Sequence, residues 1–420
     1  MVKMIPRALL VGALVCAGTL AGCDTGTTTS DVTVRGRVTD DPSSTLGPVE
    51  GAVVTAARVS ASGQLQGLDG EATTDADGEY RLETEGATGA VVLTATDGSF
   101  SSRVLIEEDG ADDGTVTAPP MTAETDAEVA VYLAAKAAGS RATVADVVAF
   151  VTANVAAEID AGANTAAEVA AALDAALDAE AAYAQDAGAS AGDVDDAQDN
   201  RATAYAAFRT ALHNATSADD RVNALRTFEE AYADAWADAD VDADVQAEAS
   251  RAGALAAARF STDLSADAAF EIERQARLYA ATAAALAIEA AFRNENASND
   301  RLTVLSEARL ALVAAIRAAT SASALAGAEA AYQAAVRAEV AAEAGLSGAE
   351  VSAAQSATGS ARAALTTAVA AATTAEQVAD AVATFYASAR TAIEGVLGTD
   401  EDFATLVILH LAAFGSLSAA

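Results

Sequence analysis

Lysine, cysteine, histidine and proline are nearly missing from this chain of 420 residues, and each scarcity excludes something. Lysine stands only at Lys3 and Lys136, so the positive charge is almost all arginine. The 24 basic residues face 61 acidic ones, a formal net charge of −37. Such a surface repels nucleic acid, which is bound through clustered basic side chains. The two cysteines, Cys16 and Cys23, both lie at the extreme N-terminus. The body of the chain therefore has no disulfide, thiolate metal site or cysteine nucleophile. His213 and His410 are the two histidines, and neither sits in a metal-ligand spacing such as H-x-x-x-H. No proline follows Pro120, so nothing of that kind interrupts helices beyond it. Aromatics are 5% of the chain against 52% hydrophobic residues, which leaves alanine, valine and leucine as core material. Alanine has the best intrinsic helix propensity and favours closely packed helices.

What is present begins with "MVKMIPRALLVGALVCAGTLAGC". Lys3 and Arg7 precede the apolar run Ala8 to Ala17, then small residues: a secretory signal, too short and wrongly flanked to span a membrane. Its end, Leu20-Ala21-Gly22-Cys23, resembles a bacterial lipobox. The resemblance implies cleavage after Gly22, lipidation of the Cys23 sulfur and anchoring to a membrane of the cell envelope. The outer membrane or cell surface is the expected location, with a periplasm-facing placement as the alternative. Asp24 resembles the inner-membrane retention signal of enteric bacteria, a rule that does not extend to all bacteria. Stable anchoring takes more than one acyl chain, each buried CH₂ contributing ~0.8 kcal/mol. The alternative is an ordinary cleaved signal with a free cysteine. "DTGTTTSD" then reads as a flexible tether over residues 23–31. The acidic, lysine-poor composition resembles that of proteins working in concentrated salt, where the Debye length falls to ~3 Å near 1 M. A GC-rich genome produces the same replacement of lysine by arginine.

From Val32 to about Thr122 the pattern has period two. "VTVRGRV", "VEGAVVTA", "EYRLET", "AVVLTAT" and "RVLIEE" read as short strands separated by Asp-Pro, Gly-Pro and Asp-Gly turns, an antiparallel β-sandwich. Val34 to Asp40, Pro48 to Val54 and Thr74 to Tyr80 ("TDADGEY") resemble, in that order, the motifs of the carboxypeptidase regulatory-like domain, a transthyretin-like sandwich. The match spans about 90 residues, and "RVSASGQLQGLDG" (58–70) departs from it as a longer loop. The resemblance implies a spacer or binding platform without catalytic residues. It also implies that Asp75 bonds turn amides, that Gly78 takes positive φ and that Tyr80 packs inward. The competing reading of Asp75-Ala76-Asp77-Gly78 is half a calcium loop. In an EF-hand, glycine stands sixth and glutamate twelfth; counted from Asp75, glycine is fourth and Gly86 is twelfth.

After "APPMT" the period becomes 3.6, in alanine-rich amphipathic segments. "ATSADDRVNALRTF" (215–228), "ATSASALAGAEAAY" (319–332) and "ATTAEQVADAVATF" (372–385) share [ST]-A-x5-A-x3-[FY]. A worn copy near 267 places Ala276 at the alanine position, and another fits at 163–175. About five helical hairpins of ~52 residues are expected within 123–420, with Ser217, Ser321 and Thr374 as N-caps. The expected fold is thus a small immunoglobulin- or transthyretin-like sandwich followed by an all-α bundle or hairpin repeat array.

Chemistry is sparse. No G-x-S-x-G, P-loop or G-x-G-x-x-G occurs. "DADVDADV" (238–245) alternates carboxylates but lacks the loop glycine of a calcium site, and reads as a solvated connection. Phe228, Tyr232 and Trp236 form a helical stripe, read as core. "FATLVILHLAAFGSL" (403–417) is uncharged, but shorter than the ~20 residues a membrane span needs. The expectation is a non-enzymatic, lipid-anchored envelope protein without a cofactor or catalytic residue. Its partners are the membrane, through the lipid, and an envelope protein or surface ligand. The alternative is a lipoprotein that binds carbohydrate, peptide or cation.

Overall fold

A computed structural model describes residues 31–39, 47–85, 89–108, 114–215, 217–236 and 241–414. Seven strands come first: β1 (Asp31–Arg37), β2 (Val53–Val59), β3 (Leu65–Thr73), β4 (Glu79–Glu85), β5 (Gly89–Asp97), β6 (Phe100–Glu108) and β7 (Thr115–Thr117). They form two sheets, ordered β4-β1-β7 and β3-β2-β5-β6. Alternate residues turn inward to a shared core: Val34 and Leu82 from one sheet, Val54, Val91, Leu93, Val104 and Ile106 from the other. The pairing is antiparallel except for β7, which runs parallel to β1 with Thr33 opposite Thr115.

Two strands depart from the sequence reading. The expected loop 58–70 carries the end of β2, a turn at Ser60 to Gln64 and the start of β3. Among the residues of β3 only Leu68 and Ala72 are even partly buried, so the strand has no hydrophobic alternation to betray it. β7 is too short to show a period.

Gly36 sits opposite Tyr80 in the β1–β4 pairing. A Cβ at Gly36 would lie 2.3 Å from the Tyr80 hydroxyl, so the phenol ring needs glycine beneath it.

Fourteen helices follow among the described residues. They are α1 (Ala123–Ala138), α2 (Val144–Phe150), α3 (Ala153–Asp160), α4 (Ala166–Asp186), α5 (Ala191–Asn214), α6 (Ala218–Ala233) and α7 (Ala243–Phe260), then α8 (Ala266–Asn294), α9 (Asn299–Arg317), α10 (Ala322–Glu343), α11 (Gly348–Ala357), α12 (Gly359–Ala371), α13 (Ala375–Leu397) and α14 (Asp402–Phe414). Hydroxyl caps begin most of them. Thr165, Ser217, Ser265, Ser321 and Thr374 each accept the amide three residues on, starting α4, α6, α8, α10 and α13. The alanine seven residues after three of these caps is buried in each case: Ala224, Ala328 and Ala381. So is the aromatic four residues later: Phe228, Tyr332 and Phe385. The worn copy needs a correction of one helical turn. Its cap is Ser265, so Ile272 holds the alanine position and Ala276 the aromatic one.

The helices close into a bundle rather than an open stack. In a solenoid each repeat touches only its neighbours. Here α13 packs on α4 and α7, and α14 on α8, so the last helices cover the first. Gly253 of α7 lets that helix approach α4; its absent Cβ would stand 3.1 Å from the Ala176 carbonyl. α14 is buried over most of its length from Ala404 on, and among the described residues no helix is long and apolar enough to cross a membrane.

The β and α regions share a wall. Ala90, Val92 and Leu105, on the outer face of the four-stranded sheet, belong to the helical core. This explains the unbroken runs Val91-Val92-Leu93 and Val104-Leu105-Ile106: a sheet covered on both faces loses its alternation. The edge of β6 is also sealed. Thr125 Oγ1 donates to the Arg103 carbonyl at 2.7 Å, Tyr205 Oη to Leu105 at 3.1 Å and Arg209 Nη2 to Glu107 at 3.0 Å. Alternate carbonyls of an edge strand point outward, so three helical side chains satisfy three successive free acceptors. Arg103 adds a bidentate pair to Asp126, at 2.7 and 2.9 Å.

Candidate functional site

The lipobox residues Leu20, Ala21, Gly22 and Cys23 lie outside the described residues. The Asp75 turn lies within them. One Asp75 carboxylate oxygen accepts the amides of Asp77 (3.0 Å) and Glu79 (2.9 Å), and Gly78 has φ +71°. That carboxylate is spent on its own turn, as the turn reading requires. Of "DADVDADV", Asp238 to Asp240 lie outside the described residues. Asp242 precedes α7 without capping it, and Asp244 faces His410. The side chains of Phe228, Tyr232 and Trp236 are core, each at most 3% exposed.

Buried charge in the helical region is bracing. Arg201 reaches Glu180 at 2.6 Å and Asp146 at 3.4 Å. Asp146 also accepts Tyr232 Oη at 2.6 Å and both the amide and hydroxyl of Thr143 at 2.8 Å. Glu180 accepts Trp236 Nε1 at 2.7 Å. Burial alone pulls the Arg201 guanidinium down, but the carboxylates of Glu180 and Asp146 outweigh it and hold the cation firmly protonated. Arg277 with Glu329, Arg309 with Glu289 and Glu230, and Arg301 with Glu339 clamp further helix pairs. Arginine suits this work: its planar fork bonds carboxylates bidentately, and it is more weakly hydrated than lysine.

His410 is fully buried on α14. Its Nε2 lies 3.2 Å from Asp244 Oδ1, while Nδ1 has no partner among the described residues. Beside it Tyr183 donates to Glu248, whose carboxyl burial pushes up. Glu128 of α1 is also pushed well up, by burial and by the charge of Glu124 one turn away. The side chain of His213 is outside what the structure describes.

One open cleft differs from all of this. It has a volume of about 810 Å³ and lies between β1, β3 and β4 and the α5–α6 junction. Arg35, Arg37 and Arg81 line it from the outer face of the β4-β1-β7 sheet, and Arg221 lines it from α6. All four are exposed. Arg35 and Arg81 stand directly opposite one another in the antiparallel register. Arg81 makes a loose 3.7 Å contact with Glu83; Arg35, Arg37 and Arg221 form no ion pair among the described residues. The carboxylates at the cleft are Asp75, held by its turn, and Glu79. Tyr80, between Glu79 and Arg81, turns its side chain the other way into the sandwich core, where its hydroxyl has no hydrogen-bond partner among the described residues.

Sequence reasoning missed this cleft. Its one available signal was the "RGR" of β1, basic residues at i and i+2 on a strand whose other face is apolar. Arg81 and Arg221 join only through strand register and tertiary packing. No known family, curated protein or solved structure matches this chain.

Proposed function

We propose that the chain is a lipid-anchored cell-envelope protein with a non-catalytic structural or interaction role, held at the outer membrane or cell surface through Cys23. The observation that carries this reading is the sequence Leu20-Ala21-Gly22-Cys23 closing an apolar signal of the right length. The fold agrees with such a role. Asp146, Glu180 and Glu329 are buried and engaged by arginines, phenol or indole groups and a cap, which spends their charge on rigidity. The two-sheet unit is in this reading a carboxypeptidase regulatory-like, transthyretin-like domain. The geometry of Asp75, Gly78 and Tyr80 supports it, being what that resemblance implies. Because the sheet shares its outer face with the helices, the unit acts as one wall of a single body that presents a surface, rather than as a separate spacer.

Labelling of growing cells with a tagged fatty acid, with detergent-phase partitioning, tests the anchor. The expected result is label on the protein and partition into detergent, both lost in Cys23→Ser. A chain that stays in the aqueous phase refutes the reading. A second reading, a ligand-binding lipoprotein, is favoured by the arginine-lined cleft.

A further inference from the structure

We infer that the cleft formed by Arg35, Arg37, Arg81 and Arg221 binds an acidic polysaccharide, a chain bearing carboxylate or sulfate groups between free hydroxyls. The inference deepens the second, ligand-binding reading and does not depend on the lipid.

The argument begins with cost. Like charges directly opposite in an antiparallel pair are destabilising, and Arg35 faces Arg81 across β1 and β4. In the helical region Arg201, Arg277, Arg301 and Arg309 are each matched to carboxylate. In a chain of net charge −37, carboxylates to match these four are plentiful. Their convergence on one cleft, with Arg81 in only a loose contact with Glu83 and Arg35, Arg37 and Arg221 in no ion pair among the described residues, marks a place kept for an external anion.

Geometry narrows the anion. Residues i and i+2 on a strand are ~7 Å apart and opposed residues ~5 Å apart. Arg35, Arg37 and Arg81 thus present a flat lattice of guanidiniums, with Arg221 opposite on α6. Planar forks of this kind bond the paired oxygens of carboxylate or sulfate. The site is an open trough lined from three strands and a helix junction, which suits a length of polymer rather than one enclosed small ion.

The remaining lining separates an acidic sugar chain from a polyanion that brings no free hydroxyls. Asp75 and Glu79 stand in the same cleft and repel the second. They suit one with hydroxyls between its charges, because a carboxylate accepts from a hydroxyl. The strongly negative body around the trough focuses the attraction on the arginines and disfavours indiscriminate polyanion binding.

The test uses the purified full chain in neutral detergent, with binding followed by calorimetry. The probes are polygalacturonate, heparin, neutral dextran, duplex DNA and phosphatidylglycerol vesicles. Polygalacturonate or heparin should bind, more weakly as salt rises, and neutral dextran should not compete. The double variant Arg35→Gln/Arg81→Gln should weaken that binding roughly tenfold or more. Arg226→Gln/Arg390→Gln, the same loss of two exposed charges outside the cleft lining, should leave it within about twofold. Retained affinity in the double variant overturns the inference. So does the absence of binding by both acidic polysaccharides, or equal binding by DNA or vesicles. Failure here leaves lipid labelling at Cys23 untouched, so the two readings fail separately.

Discussion

The two halves of the molecule use the same side chain in opposite ways. In the core of the helical region arginine is internal: Arg201 and Arg277 are buried and bonded to carboxylates on other helices. On the β4-β1-β7 sheet, arginine is exposed, and two of the residues face each other. The cores differ to match. The β core is mainly valine, alanine and leucine with no charged side chain among its described residues, while the helical core is largely alanine around ion pairs. Small alanines bring helices close but bury little area per residue. Charged clamps then supply the specificity of packing that side-chain shape supplies in the sheets.

The comparison is most sharply broken at Arg201. Arg201→Leu leaves Asp146 and Glu180 buried without their cation, and should cost ~3–5 kcal/mol in urea denaturation. A loss below about 1 kcal/mol would mean that these pairs do not hold the bundle. Gly253→Val places a branched side chain against the Ala176 carbonyl and should cost ~1–3 kcal/mol, read as a lowered Tm. At the shared wall, Tyr205→Phe uncaps the Leu105 carbonyl and should cost ~1–3 kcal/mol. Hydrogen exchange should show the increase concentrated at β6.

Glu128 sharpens the contrast with the opposite sign. Its carboxyl pKa is raised above 4.5 in the folded state, so its contribution to stability is complete below that value and is lost as pH rises through the folded-state pKa. Glu128→Gln should therefore raise Tm by a few degrees near pH 7 and change it little near pH 4. Equal gains at both values would contradict a buried, reluctantly ionised carboxyl. The smallest effect belongs to the exposed sheet: Arg35→Gln should alter stability by no more than about 0.5 kcal/mol, within the range of ordinary surface changes.

What the sequence disclosed follows from what is local. Ser217, Ser321 and Thr374 announce helix starts because a cap is written within four residues. Five strands were legible through apolar runs, and the doubled runs of β5 and β6 held an unread sign that both faces are covered. β3 was hidden because its side chains lie largely in water. The slip at the worn copy arose because alanine recurs on every turn of α8, so only the hydroxyl of Ser265 fixes its frame. The clamps were illegible for another reason: Arg201 meets Asp146, and Arg309 meets Glu230, across long stretches of chain that no local pattern records.

The seating of α13 against α4 has a consequence for how the molecule comes into being. A chain emerging N-terminus first completes α4 at Asp186 and does not produce α13 until after Ala375. In the interval the face of α4 that α13 will cover stays open to solvent. Contacts so distant along the chain slow folding, and exposed apolar surface invites association with other chains. The yield of folded protein should therefore fall as chain concentration rises, because association through the uncovered face of α4 competes with the docking of α13.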